Sequence, residues 1–201
     1  MADTATRPKI LIAEDEAIIR LDLKEMLEEE GLEVVGEAAD GDAAIRLARE
    51  RDPDLVIMDI KMPGTDGLSA AQTIVRDDLA AVLILTAFSQ RDLVQRAAEA
   101  GAMAYLVKPF QKSDLMPAID IAMARYAELA AVKKESAELS DQLATRKVVD
   151  RAKGKLMDQQ SLSEADAFRH IQKRAMDERR SMKAVAEEIL GVGEQEAGGQ
   201  P

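Results

Sequence analysis

Five side chains that could act together each sit at the end of an apolar run. "KILIA" (9–13) runs into Glu14 and Asp15, and "LVIM" (55–58) into Asp59. "AVLILTA" (81–87) closes around Thr86, and "AMAYLV" (102–107) runs into Lys108 and Pro109. A lone buried carboxylate is expensive, so a run that drives into Asp59 must carry it to an edge where other groups need it. Carboxylates crowded together repel and raise one another's pKa. A hard divalent cation relieves this, and Mg2+ takes oxygen ligands from one or two carboxylates together with phosphate and water. The lysine suits the non-bridging oxygens of a phosphoryl group by charge, and the threonine by hydrogen bonding. An ionised aspartate is then the available nucleophile, and its product is an aspartyl phosphate. Singly, acids cap helices and lysines stand anywhere. Five together, each at the end of a run, point to one site.

The elements that must bring them together are legible between residues 9 and 110. Strand-like runs at 9–13, 32–38, 55–58, 81–87 and 102–107 alternate with amphipathic stretches at 18–29, 42–51, 67–76 and 90–100. Ile19, Leu23, Met26 and Leu27 show the helical spacing. Gly31 and Gly101 stand where helices should stop. Alternation of this kind predicts a parallel sheet covered on both faces. Right-handed crossovers place every strand C-terminus along one edge, where ligand chemistry belongs. The expected fold is α/β, a flavodoxin-like doubly wound five-stranded parallel sheet of order 2-1-3-4-5. That order makes the strands ending in Glu14-Asp15, Asp59, Thr86 and Lys108 neighbours.

The chain has 201 residues, 47% of them apolar, enough for one domain of ordinary size and a small one. No apolar run approaches the ~20 residues that span a bilayer. "MADTATRPK" lacks an apolar signal core and reads as the disordered start, 1–7, of a cytoplasmic protein. With no cysteine, disulfides and thiolate metal sites are excluded, and a single histidine disfavours zinc. The net charge of −11 argues against indiscriminate coating of nucleic acid. The charge is unevenly spread: residues 146–190 hold 11 basic and 8 acidic side chains, a net of +3, against −14 for the remainder. The C-terminal part therefore reads as a separate domain.

From about Leu115 the pattern is helical only. Leu129, Val132, Ser136, Leu139 and Leu143 follow a 3-4-3-4 spacing flanked by charge. This stretch, 126–145, reads either as a dimeric coiled coil or as a helix packed within its own chain. "SEAD" (163–166) resembles a capping box and opens a helix with Ala165, Phe168, Ile171 and Ala175 on one face. Ser181 can cap a last helix, and the tail 192–201 reads as disordered. The C-terminal part is thus expected to be a helical linker and a small three-helix domain over 146–191.

Residues 8–125 resemble the receiver domain of bacterial two-component response regulators. The resemblance makes Asp59 the phosphoacceptor and Glu14 and Asp15 the acidic Mg2+ pair, completed by Asp59 and the backbone carbonyl of Lys61. It makes Thr86 and Lys108 the phosphoryl-binding residues, and Tyr105 an aromatic switch ahead of a cis Lys108-Pro109 peptide. Glu14 stands where many relatives have aspartate, which touches only fine metal geometry. Residues 145–190 resemble the ANTAR output domain of transcription antitermination regulators, on Ala152-Lys153-Gly154, Leu156-Met157, Ala167-Phe168, Ala175-Met176, Arg179-Arg180 and Ala186. With both in this order the chain is similar to actinobacterial phosphorylation-dependent antitermination regulators. That implies phosphorylation by a sensor histidine kinase and binding to RNA hairpins in nascent transcripts. It also implies a non-enzyme that accepts a phosphoryl group and sheds it slowly; the linker seam, where read as a coiled coil, would form phosphorylation-dependent homodimers.

The C-terminal residues add their own argument. Arg151, Lys153, Lys155, Arg179 and Arg180 suit phosphate contacts. Gly154 in mid-helix costs ~1 kcal/mol relative to alanine, which suggests close approach of RNA or of a neighbouring helix. Phe168, on an apolar face, reads as core, so a platform of stacking aromatics is excluded. An alternative output is a DNA-binding or protein-docking helical module, although the first output helix reads as continuous with the linker. Aspartyl phosphatases resemble a different pattern, D-x-D after the first strand. The turn "AEDEA" lacks the glycines of nucleotide-binding loops.

Overall fold

The structure is a computed structural model and describes residues 7–87 and 91–191, side chains of 91–93 excepted. The ends read as disordered lie outside the described residues, apart from Arg7. The chain divides into two compact units, Met1–Ala130 and Ala131–Pro201.

The first unit alternates strands and helices as the apolar pattern predicts. Its strands are β1 (Lys9–Ala13), β2 (Glu33–Ala38), β3 (Leu55–Asp59), β4 (Ala81–Thr86) and β5 (Ala104–Val107). Its helices are α1 (Ala17–Glu29), α2 (Gly41–Arg51), α3 (Gly67–Arg76), α4 (Arg91–Glu99) and the start of α5 (Lys112–Gln160). All strand pairs are parallel, in the order β2-β1-β3-β4-β5. β3 and β4 are buried throughout, as strands covered on both faces must be. One apolar layer joins Leu11, Val56, Met58, Val82 and Ile84 to α2, α3 and α4. The other joins Ile10, Ile12, Ile57, Leu83 and Leu85 to α1 and to Leu115, Ile119 and Ala122 of α5. The period-2 alternation of strand side chains divides the residues this way.

Register explains why the five residues meet. Asp59 pairs with Leu85, one residue before Thr86, and Thr86 pairs with Val107, one before Lys108. Ala13, one residue before Glu14, pairs with Met58, one before Asp59. Carboxylates, hydroxyl and ammonium thus leave the sheet at one level of its C-terminal edge.

In the second unit, α5 contributes Val149, Ala152 and Leu156 to a small core. Ala167, Ile171 and Ala175 of α6 (Glu164–Asp177) and Val185 and Ala186 of α7 (Met182–Leu190) complete it. Ser163 caps α6 by accepting from Asp166 N, and Ser181 caps α7 by accepting from Ala184 N. The α6 face differs from the expected one. Ala165 and Phe168 are exposed, and Ala167 takes the inward position, because four-residue steps through Ile171 bring three small or branched residues into line. Linker and first output helix are continuous within α5, a helix of 49 residues on which Leu129, Val132, Leu139 and Leu143 are all exposed. No helix among the described residues is long and apolar enough to cross a membrane.

Candidate functional site

Glu14, Asp15 and Asp59 each place a carboxylate oxygen within 4.8 Å of the others. Glu14 and Asp59 are buried, whereas Asp15 is exposed, so the cluster opens to solvent on one side. Lys108 bridges the two buried acids, with Nζ 2.5 Å from Glu14 Oε2 and 2.9 Å from Asp59 Oδ1. Burial pushes the Glu14 carboxyl above its ordinary range, against the hydrogen bond and charge of Lys108. For Lys108, burial alone would lower the ammonium pKa, but hydrogen bonds to Glu14 and Asp59 leave it raised and firmly charged. A cavity of about 260 Å³ opens here, lined by Asp15, Asp59, Lys61, Thr86 and Lys108 among others. Thr86 is buried at its margin, and its carbonyl accepts from Lys108 N at 2.7 Å. The Lys108-Pro109 peptide is cis. Tyr105 lies on the neighbouring strand, 48% exposed.

The loop after Asp59 holds the carboxylate in place. Its Oδ2 accepts from Lys61 N at 3.0 Å. The chain then returns, and Gly67 N donates to Ile60 O at 2.9 Å. A Cβ on Gly67 would lie 1.8 Å from the Asp59 carbonyl oxygen, so only glycine permits this approach. Asp66 caps α3 by accepting from Leu68 N and Ser69 N. The Ser69 backbone hydrogen bond is the main reason its carboxyl stays below the ordinary range.

One contributor is not visible from spacing. Arg20 Nη1 donates to the Glu14 carbonyl at 2.5 Å and reaches the Asp15 carbonyl at 3.4 Å. Its Nε lies 3.4 Å from Glu37 Oε2, and Lys24 Nζ donates to Glu37 Oε1 at 2.8 Å. Arg20 therefore fastens the backbone that carries the acidic pair. An arginine six residues past an acid announces nothing by itself, because the partner carboxylate comes from β2.

In the second unit the expected RNA contacts divide. Lys153 pairs with Asp150 and Glu164, each at 2.8 Å, and Lys155 Nζ donates to the Ile189 carbonyl at 2.7 Å. Arg180 joins Arg174, Glu178 and Glu188 in an ion network that ties α6 to α7. These three basic side chains are thus engaged within the unit. Arg151 and Arg179 are exposed and carry no ion pair among the described residues, and Arg179 sits at a positive φ of 53° in the α6–α7 turn. A Cβ at Gly154 would meet nothing within 4 Å, so no neighbouring helix among the described residues approaches it. Phe168, expected in the core, is 40% exposed; the smaller Ala167 closes the core instead.

Sheet order, acidic cluster and bridging lysine together are those of a receiver fold, and comparison with known proteins agrees. Residues 10–120 match the response regulator receiver domain, and the chain belongs to the two-component response regulators. Residues 137–190 match the ANTAR domain, which makes it an ANTAR response regulator; that match opens inside the stretch read as linker. The transcriptional regulatory protein PdtaR of Mycobacterium tuberculosis is 58% identical over 189 residues, covering 94% of this chain and 92% of that protein. The chemotaxis protein CheY of Bacillus subtilis is 42% identical, over 56% of this chain and 94% of its own. Among solved structures, a CheX-CheY-BeF3-Mg2+ complex from Borrelia burgdorferi superposes with a TM-score of 0.53 at 26% identity, over 55% of this chain and 85% of that one. A LuxR-family response regulator from Aurantimonas gives 0.56 at 35% identity, over 59% and 86%.

Proposed function

We propose that Asp59 accepts a phosphoryl group from a sensor histidine kinase, and that this gates RNA hairpin binding by the ANTAR domain and transcription antitermination. The observation that carries the reading is the Glu14–Asp15–Asp59 cluster bridged by Lys108 at the sheet's C-terminal edge. The donor set fits Mg2+: three hard carboxylate oxygens within 4.8 Å, open to solvent through Asp15. Glu14, Asp15, Asp59 and the Lys61 carbonyl would hold the ion. Bound Mg2+ supplies positive charge that offsets the negative charge of carboxylates and phosphoryl oxygens.

The chain's own groups do the rest. An Asp59 carboxylate oxygen attacks phosphorus, the bond from phosphorus to the donor's imidazole nitrogen breaks, and the imidazole leaves. The Lys61 N–H orients the Asp59 carboxylate before attack. Lys108, already 2.9 Å from Asp59, follows the new negative charge, and the Thr86 hydroxyl donates to a phosphoryl oxygen. With Thr86 drawn toward the phosphoryl group, Tyr105 turns inward beside it, which alters the β4–β5 surface. Two output modules brought together through α5 would then engage RNA, in the bacterial cytoplasm where nascent transcripts are made.

Two measurements test this. Acetyl phosphate with Mg2+ should add one phosphoryl group, located at Asp59 by mass spectrometry and absent from Asp59→Asn. RNA hairpin binding at one stated salt concentration should strengthen with the phosphoryl donor and exceed binding to duplex DNA. Full labelling of Asp59→Asn, or equal binding to hairpin and duplex, would refute the reading.

A further inference from the structure

The loop between β3 and α3 is held from outside as well as from within. Within, Asp59 Oδ2 accepts from Lys61 N, Met62 is buried in the apolar layer shared with α2 and α3, and Gly67 N donates to Ile60 O. The outer limb has no such support: Pro63 and Gly64 are exposed, and Thr65 is half-buried. There the first turn of α2 takes over. The Thr65 hydroxyl donates to Asp42 Oδ1 at 2.9 Å, and Gly41 N donates to the Thr65 carbonyl at 3.2 Å. A Cβ on Gly41 would run into that carbonyl, so the two backbones are in direct contact.

The helix itself does not need the Asp42 side chain for its cap. That is Asp40, which accepts from Ala43 N at 2.7 Å. A single hydroxyl–carboxylate bond near the surface contributes modestly to stability. Its stronger effect is to fix a position. Lys61, four residues before Thr65, lines the cavity at the acidic cluster. Between them Met62 is anchored and Pro63 has a fixed φ, so the segment has little slack to absorb a displaced Thr65. Mg2+ demands near-octahedral oxygen ligands, and a site must hold its ligands within about 0.5 Å to satisfy that demand.

We propose that Asp42 and Thr65 are positioning residues for the metal site, their hydrogen bond fixing where the Lys61 carbonyl stands at the cavity. The proposal rests on the reading of Glu14, Asp15, Asp59 and Lys61 as Mg2+ ligands and adds what holds the backbone ligand in place. Neither residue touches the ion. Both act through the loop.

The test compares the full chain with Thr65→Val, Thr65→Ser, Asp42→Ala, Asp42→Asn and the Asp42→Ala/Thr65→Val double variant. Mg2+ affinity is measured by calorimetry. Thr65→Val and Asp42→Ala should each bind about tenfold more weakly, the lower end of the ~10–100-fold loss that follows removal of a group supporting a metal ligand. The double variant should bind no more weakly than Asp42→Ala, because both changes remove the same bond. Thr65→Ser keeps the hydroxyl, and Asp42→Asn keeps an acceptor oxygen without the charge, so both should stay near the parent. Labelling by acetyl phosphate should need correspondingly more Mg2+ in the two disrupted single variants. In Mg2+-free protein the Met62 amide, which shares a peptide plane with the Lys61 carbonyl, should shift in the NMR spectrum of Thr65→Val and hold in Thr65→Ser. Parental Mg2+ affinity in Thr65→Val overturns the assignment, whatever the melting temperature. An equal loss in Thr65→Ser overturns it too. A loss in Asp42→Asn as large as in Asp42→Ala would make Asp42 a remote charge, with the same consequence. A parent that neither binds Mg2+ nor labels at Asp59 would overturn the reading of the site itself, and the positioning role with it; that outcome is visible before any variant is compared.

Discussion

Lys108 Nζ lies 2.5 Å from Glu14 Oε2, so the residue proposed to hold the phosphoryl group also neutralises the most buried acid of the acidic cluster. A cation arriving at Glu14 competes with Lys108 for the same carboxylate. The resemblance gives Lys108 to the phosphoryl group and the ion to the carboxylates, as separate tasks; the geometry couples the two. Removing one positive charge a few ångströms away should tighten Mg2+ binding by about tenfold or more. Phosphorylation, or its effect on hairpin binding, should weaken in the same variant. Calorimetric Mg2+ titration and phosphorylation rates on one preparation check both, and unchanged or weaker Mg2+ binding would contradict the competition.

The raised pKa of Glu14 predicts the pH dependence of metal binding. Burial favours the protonated acid, and Mg2+ requires the anion, so binding must release any proton held there. The affinity should therefore be full at high pH and fall as pH drops through the raised Glu14 value. The fall should begin above the ordinary glutamate range near ~4.3 and approach tenfold per pH unit beyond it. Mg2+ titrations at successive pH values measure this. Affinity that holds constant until the ordinary range is reached would show that no carboxylate of raised pKa binds the ion.

Two glycines should respond oppositely to alanine. At Gly67 the new Cβ would meet the Asp59 carbonyl oxygen at 1.8 Å, and both are backbone. Gly67→Ala should cost at least the ~1–3 kcal/mol typical of overpacking and displace Asp59, so phosphorylation slows as well. At Gly154 a Cβ meets nothing, and Gly154→Ala should raise stability by up to ~1 kcal/mol. Thermal melts decide stability for both. Hairpin binding by Gly154→Ala then decides whether RNA approaches the backbone there.

Much of the first unit is legible because strand runs, helical spacing and strand-end residues all point the same way. Glu14 and Asp59 sit one residue beyond, or at, the end of a buried strand, Lys108 follows the half-buried β5, and parallel register does the rest. The Arg20–Glu37 fastening is not legible, since it joins elements through polar groups that periodicity does not mark. Phe168 shows a different limit. Ala165-Phe168-Ile171 and Ala167-Ile171-Ala175 are both helical faces through Ile171, and only the packing of alanines against α5 and α7 chooses between them. Basic clusters mislead in the same way, because Arg180 and Lys155 are as cationic as Arg179 but already have partners.

That difference predicts which arginines touch RNA. Arg151→Ala and Arg179→Ala should weaken hairpin binding across loop sequences and flatten the salt slope by about 1 each, with stability nearly unchanged. Arg180→Ala should instead lower thermal stability, because Glu178 and Glu188 lose a shared cation. Its salt slope should stay near the parent value. Reversal of the two patterns would place the phosphate contacts on the ion network itself.

The exposed seam on α5 carries the last prediction. Leu129, Val132, Leu139 and Leu143 are 48–64% exposed at heptad spacing, with Ser136 between them. In a parallel two-stranded pairing, Glu128 falls opposite Lys133 of the second copy, an attractive arrangement across the seam. About two heptads interrupted by a serine make a weak coiled coil, suited to control by phosphorylation rather than to a permanent dimer. Phosphorylation at Asp59 should therefore raise the dimer fraction in sedimentation. Leu139→Ala with Leu143→Ala should abolish the rise without lowering the monomer's melting temperature, since neither side chain is buried in it. Coupling two output modules makes the second hairpin contact intramolecular, so the same variant should lose affinity for paired hairpins but keep its affinity for a single one. A phosphorylated monomer with RNA present, or a variant that binds paired hairpins like the parent, would remove dimerisation from the mechanism.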